Sequence, residues 1–217
     1  MNFNNYDYII PIGCNCRIGQ ALNTLNYRKF SLPLDWTLNT TKSVYDCFKC
    51  EFKDYFSNLY CVVDVYNFPD SQFKCLLNNK YRINITHENK VNQSLIDKYN
   101  RRIKRLIGIL NSGKKVLFIR NLLDCNVIDD VHRAYLNNEL KINSKCNDLS
   151  WLYNLNDLLQ KKYSKLKHDL LIIHYNTISK KLKKDNIFYK KMLEQNHPID
   201  WDYAACVKAI NELNKMI

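Results

Sequence analysis

Two unbroken apolar runs, Lys115-Val-Leu-Phe-Ile119 and Asp169-Leu-Leu-Ile-Ile173, constrain this 217-residue chain more than any other feature. Neither shows the polar alternation of a strand with one wet face, so each reads as a strand covered on both sides. A helical pattern precedes each run. From Asn92 to Leu110 the residues Leu95, Tyr99, Ile103, Leu106 and Leu110 form one stripe, with most of the basic residues off it, and Asn111-Ser112-Gly113 closes the segment. Leu149 to Leu166 is the second helical pattern, and Lys180 to Leu193 and Tyr203 to Met216 are read as further helices. A helix–strand–helix–strand order with right-handed crossovers implies a parallel sheet. The expected fold is α/β, a three-layer domain with a mainly parallel sheet flanked by helices, with residues 1–217 as one domain.

The first strand is expected at Tyr8 to Ile12, and it runs into Gly13-Cys14-Asn15-Cys16-Arg17 before a short helix from Arg17 to Leu25. Cys16 therefore falls at a strand-to-helix turn. Backbone N–H groups there face outward and favour a thiolate. Ser31 to Trp36 reads as a loop, Thr41 to Phe48 as a helix capped by Thr41 or Ser43, Leu59 to Val65 as a strand with a turn at Phe68-Pro69-Asp70, and Tyr81 to Thr86 as an edge or half-buried strand. Ligands of parallel α/β sheets bind beyond the carboxyl ends of the strands. The residues expected there are Gly13, Asn15 and Cys16, then His87, then Arg120, Asn121 and Asp124, then His174 and Asn176.

The run Gly13-Cys14-Asn15-Cys16-Arg17-Ile18-Gly19, followed by Pro33-Leu34-Asp35-Trp36, resembles the opening of a family of papain-like cysteine peptidases found in bacteria and large DNA viruses. That family's pattern is a strand, then Gly-x-Asn-Cys-Arg and a small residue, then Pro-Phe-Asp-Trp, here with Leu34 for Phe. A histidine after a mid-chain strand belongs to it, and His87 fits. The similarity covers roughly residues 8 to 124. It implies Cys16 as nucleophile and His87 as general base, with Cys14 at a position usually held by a small residue. The strand before the cysteine also looks like an SGNH-type esterase, with thiol for hydroxyl. In such chemistry Asn15 and the backbone N–H groups from Asn15 to Arg17 are candidate oxyanion donors, and Asp35 or Asp124 a candidate for orienting the imidazole. His174 is a rival base. Arg17, Arg120, Asn121, His174 and Trp36 are the candidate substrate-binding residues, with the two arginines suited to a carboxylate or phosphate.

Thirty-three Lys and Arg against 21 Asp and Glu give a formal charge of +12. Arg101-Arg102-Ile103-Lys104-Arg105, Lys161-Lys162 and Lys180 to Lys191, interleaved with Tyr163, Phe188 and Tyr189, make a non-enzymatic module for nucleic acid or another polyanion the alternative reading. A third reading keeps the sheet edge for an anionic sugar or nucleotide. An uneven nine cysteines with no apolar leader points to reduced thiols in an intracellular, cytoplasmic setting, the host cytoplasm if the chain is viral. Cys47-x-x-Cys50 has metal-like spacing, but Cys61 and Cys75 lie at a strand start and beyond it, so no metal site is expected. The four glycines are too scattered for a phosphate loop, and no cofactor is implied. No run is long enough to span a membrane. The partner expected is a peptide or acyl substrate.

Overall fold

The structure, a computed structural model, describes residues 1–57, 59–63, 74–85, 87–122, 148–174, 184–191 and 203–215. The expected turn at Phe68-Pro69-Asp70, together with Asp124 and Asn176, lies outside them. The described strands are β1 (Tyr8–Pro11), β2 (Thr37–Leu38), β3 (Leu59–Val63), β4 (Lys74–Asn78), β5 (Ile83–Ile85), β6 (Lys115–Asn121), β7 (Lys167–His174) and β8 (Ile187–Lys191). The described α-helices are α1 (Arg17–Thr24), α2 (Thr41–Lys49), α3 (Gln93–Leu110), α4 (Asp148–Lys162) and α5 (Tyr203–Lys215).

β1, β6, β7 and β8 form a four-stranded parallel sheet in that order. Its central strands show why their sequences are apolar without interruption. On β6, Val116 and Phe118 face one core cluster while Leu117 and Ile119 face the other; on β7, Leu170 and Ile172 are separated from Leu171 and Ile173 in the same way. The first cluster is completed by α2, α3 and α4 through residues such as Val44, Phe48, Leu106, Leu155 and Leu159. Helices α1 and α5 cover the opposite face through Ile18, Ala21, Leu22, Ala209 and Ile210. Each fully covered leucine or isoleucine contributes roughly 1.5–3 kcal/mol. The expected α/β architecture with a helix-flanked parallel sheet is therefore present.

Three readings change. The expected helix over Lys180–Leu193 is a strand from Ile187 to Lys191, paired in parallel with Leu170 to His174 of β7. Its lysines are good helix formers, yet the open edge of β7 takes up the backbone. The Leu170 N–H donates to the Asn186 carbonyl, and Ile187 is buried in the core. The strand expected at Tyr81 to Thr86 narrows to β5, and it belongs to a second sheet, antiparallel, with order β2-β5-β4-β3. Its core-facing residues Leu76, Ile83 and Ile85 join the same cluster as Phe118 and Ile172. The cap of α2 is Thr40, whose side chain accepts from the Ser43 N–H. Among the described residues, no helix is long and apolar enough to cross a membrane.

Candidate active site

β1 ends at the carboxyl edge of the parallel sheet, and the chain turns there into α1 with Cys16 as the residue that precedes the first helical position. The turn is built by asparagines. Asn121, at the end of β6, accepts from the Cys14 N–H through Oδ1 at 3.0 Å and donates from Nδ2 to Asn15 Oδ1 at 3.3 Å. Asn15 Oδ1 also accepts from the Arg17 N–H at 3.0 Å, which caps α1 without help from the Cys16 side chain. Asn39 closes the third side: its N–H donates to the Cys14 carbonyl at 2.9 Å.

This arrangement separates the two motif thiols. Cys14 is fully buried, whereas Cys16 is half-buried at the start of the helix. Burial pushes the Cys16 thiol above its ordinary value. The Arg17 charge and the residue's own N–H act in the opposite direction and do not overcome it. Burial thus opposes the thiolate that the helix start was expected to favour. The expected oxyanion donors also shrink. The Arg17 N–H is committed to Asn15, while the Asn15 side-chain nitrogen has no hydrogen-bond partner among the described residues.

The second motif packs directly on the first. A Cβ at Gly19 would stand 3.1 Å from the Asp35 carbonyl oxygen, so glycine lets α1 approach the Ser31–Trp36 loop without the loop backbone giving way. Asp35 is buried. Its Oδ2 accepts from Arg28 Nε at 3.0 Å, from Arg28 Nη2 at 2.5 Å and from the Leu32 N–H at 2.8 Å. Burial pushes the Asp35 carboxyl up, against the Arg28 guanidinium beside it. Arg28 in turn lies over the Trp36 ring at 5.2 Å. His87 meets the same indole edge-on, with centroids 5.4 Å apart, and is exposed. It follows β5, so it reaches the indole from the antiparallel sheet and not from a parallel strand, as the sequence order suggested.

The other candidates fall into two groups. Arg17 is half-exposed beside Cys16 and touches Gln20 Oε1 at 3.3 Å. Arg120 is fully buried. It donates from Nη1 to the Ile12 carbonyl at 2.6 Å and to Asn39 Oδ1 at 2.9 Å, and from Nη2 to the Asn39 carbonyl at 3.3 Å. It therefore ties β6 to the end of β1 and to the approach of α2. His174 ends β7, is buried, and packs edge-on to Tyr189 at 6.4 Å. Asn39 is the residue that sequence reasoning missed. Its only signal was a polar run, Asn39-Thr40-Thr41, placed three residues after Trp36.

Many cations of the basic segments contact the chain's own groups. Arg102 lies over Tyr99 and Arg105 over Phe30, while Lys161, Lys162 and Lys190 pair with Asp157, Glu51 and Glu212. Cys47 is buried in α2 while Cys50 is exposed, and among the described residues no group of three His, Cys, Asp or Glu side chains is placed to hold a metal ion.

Comparison with known proteins now bears on this turn. Residues 7–175 match the model of a family described as "Putative papain-like cysteine peptidase (DUF1796)". The chain belongs to this family. The match takes in β1, the asparagine-built turn, the Asp35–Trp36 loop, His87 and β6. An uncharacterized protein of Acanthamoeba polyphaga mimivirus is 25% identical over 226 residues, covering 87% of this chain and 98% of its own length. No solved structure matches the chain.

Proposed function

We propose that this papain-like family member is a thiol-dependent hydrolase or acyl transferase with Cys16 as its nucleophile. The observation that carries the reading is the pairing of positions: of the two motif thiols, only Cys16 stands partly open at the start of a helix, where the Arg17 charge and its own N–H favour the thiolate against burial. A neutral thiol requires a base during attack. His87 is assigned that role. Its imidazole rests on Trp36, in the loop that packs against α1.

In the proposed reaction His87 takes the thiol proton as Cys16 Sγ bonds to the substrate carbonyl carbon. The Asn15 amide and the Cys16 N–H receive the developing oxyanion. The imidazolium then gives its proton to the leaving nitrogen or oxygen as the carbonyl bond to it breaks, leaving a thioester on Cys16. Water or an acceptor nucleophile, deprotonated by the same imidazole, cleaves that thioester and restores the thiol. Asp35 acts through structure: bound to Arg28, it fixes the loop that carries Trp36. Arg17, at the mouth of the turn, suits a substrate with a carboxylate near the scissile bond.

The test uses p-nitrophenyl acetate with the full chain. One equivalent of p-nitrophenolate should appear in a burst, and mass spectrometry should locate the acetyl group on Cys16. Cys14→Ala should keep the burst and Cys16→Ala should lose it. Acetylation of any other cysteine in place of Cys16 would overturn the assignment.

A further inference from the structure

The space that Gly13 leaves empty is filled by Asn121. A Cβ at Gly13 would lie 2.3 Å from Asn121 Oδ1, a distance that real carbon atoms do not tolerate, and 3.2 Å from Ile18 Cγ1. Gly13 is not the chain's glycine of positive φ; that is Gly113. Its lack of a side chain therefore answers to close approach and not to backbone strain. The same Asn121 oxygen that occupies this space holds the Cys14 N–H, and the amide nitrogen of that side chain holds the oxygen of Asn15, which caps α1 at Arg17. Asn121 is buried, so these bonds face little competition from water.

We infer that Asn121 is a positioning residue and that Gly13 is its obligate counterpart, the two forming a lock that holds the Cys16 sulfur half-sheltered at the head of α1. The inference rests on the proposed role of Cys16. Asn121 then acts on substrate only through the turn, which replaces its expected place among the substrate ligands. The chain of contacts runs from β6 to Asn121, to the Cys14 N–H and Asn15, to the Arg17 N–H, and so to both residues that flank the sulfur. Breaking it at either partner releases the same turn. The two substitutions should therefore act as one and not as a sum.

The experiment is iodoacetamide alkylation of the full chain across a range of pH, read peptide by peptide, for Asn121→Ala, Gly13→Ala and the double variant. Releasing the turn exposes the sulfur and lifts the burial that raises its pKa. Alkylation of Cys16 near pH 8 should rise roughly three- to tenfold and its midpoint should move down. Buried Cys47 and Cys75 should stay slow, which separates local release from unfolding. The double variant should match Asn121→Ala alone, because the Asn121 oxygen that Gly13→Ala collides with is gone and the remaining 3.2 Å approach to Ile18 Cγ1 is relieved by a small shift of that side chain. An unchanged Cys16 profile in Asn121→Ala, or additive effects in the double variant, would overturn the lock. If the variants label every cysteine as an unfolded chain does, hydrogen exchange on the unaltered protein decides. The Cys14 and Arg17 amides should be slowed about 100-fold or more over an open loop, and free exchange at both would overturn it. Alkylation does not depend on turnover, so failure of the lock is distinct from failure of Cys16 as nucleophile, which the acetylation burst reads.

Discussion

At the amino end of β7, the His168 ring is enclosed beside Phe118, with Nε2 2.9 Å from Asn156 Oδ1. Asn186 donates to the same oxygen at 2.8 Å. At the carboxyl end of β1, Cys16 also stands beside a pair of hydrogen-bonded asparagines, Asn15 and Asn121. Burial drives both titratable groups toward their neutral forms: it lowers His168 to about 4 and raises Cys16. The difference lies in what surrounds them. His168 has an amide oxygen to receive its N–H and shares its enclosure with the packed ring of Phe118. Cys16 has a helix start, a cation and partial exposure. Burial alone makes an inert neutral group, and it takes groups of opposite sign at the open side to make one that can be ionised on demand.

The largest effect expected from this contrast is on turnover. Cys16→Ala should lower kcat/KM for an activated ester by about 10³-fold or more, since loss of a nucleophile removes the covalent path. His87→Ala should cost about 10²- to 10⁴-fold, the usual worth of a general base. His168→Gln, at the other end of the sheet, should leave turnover per folded molecule unchanged. A comparable loss in His168→Gln would break the assignment of the two ends.

The next effect is on stability, and it follows charge. The Arg28–Asp35 pair, which fixes the loop packed on α1, is nearly sealed, with side chains 9% and 0% exposed. Arg28→Ala leaves a buried carboxylate alone and should cost about 3–5 kcal/mol in urea unfolding. Asn156→Ala at the amino end removes a neutral acceptor and should cost about 1–3 kcal/mol. If the order were reversed, the loop that carries Asp35 and Trp36 would not be the electrostatically loaded region.

How much of this was legible in the chain follows from range. The doubly covered strands were readable because a strand with two dry faces has no polar positions, and Leu117 and Phe118 state that locally. The turn at Cys16 was readable because glycine, asparagine and helix start fall within six residues. The strand at Ile187 was not, since its lysines favour a helix and only the vacant edge of β7 decides otherwise. Asn39 and the partnership of Gly13 with Asn121 were hidden for the same reason. They join positions as much as 108 residues apart on neighbouring strands, as the Arg120 bond to Ile12 does. The upward push on the Cys16 thiol was equally illegible, because burial is a property of the assembled core.

The two ends should also fail at opposite extremes of pH. For His168 the folded pKa lies below the ordinary 6.5, so the unfolded chain binds the proton more readily. The stability it supports is complete above about 6.5 and is lost as pH falls toward 4, by up to about 3 kcal/mol. For Cys16 the folded pKa lies above the ordinary 9.0. Its share is complete below 9 and is lost as pH rises through the folded value. Urea melts of His168→Gln should lessen the acid limb alone, and Cys16→Ala should lessen the alkaline limb only by the Cys16 share, the rest of that limb belonging to groups such as buried Cys47 and Tyr55. An acid limb that persists unchanged in His168→Gln would show that the carboxylates, not this ring, govern acid unfolding.

The smallest effect separates the two duties of Asn15. As a cap, its oxygen holds the Arg17 N–H, and Asn15→Ala should cost about 1 kcal/mol. As a proposed oxyanion donor, its nitrogen is needed in the reaction alone. Asn15→Asp keeps the capping oxygen, favours the positive start of α1 and removes the donor. It should therefore melt near the parent protein while losing turnover about 10²-fold. The added negative charge also raises the neighbouring thiol further, so the loss should deepen at neutral pH and shrink in alkali. A melt lowered as much as that of Asn15→Ala, with turnover intact, would assign Asn15 to the cap alone and make the carboxyl end more like the His168 end than the geometry suggests.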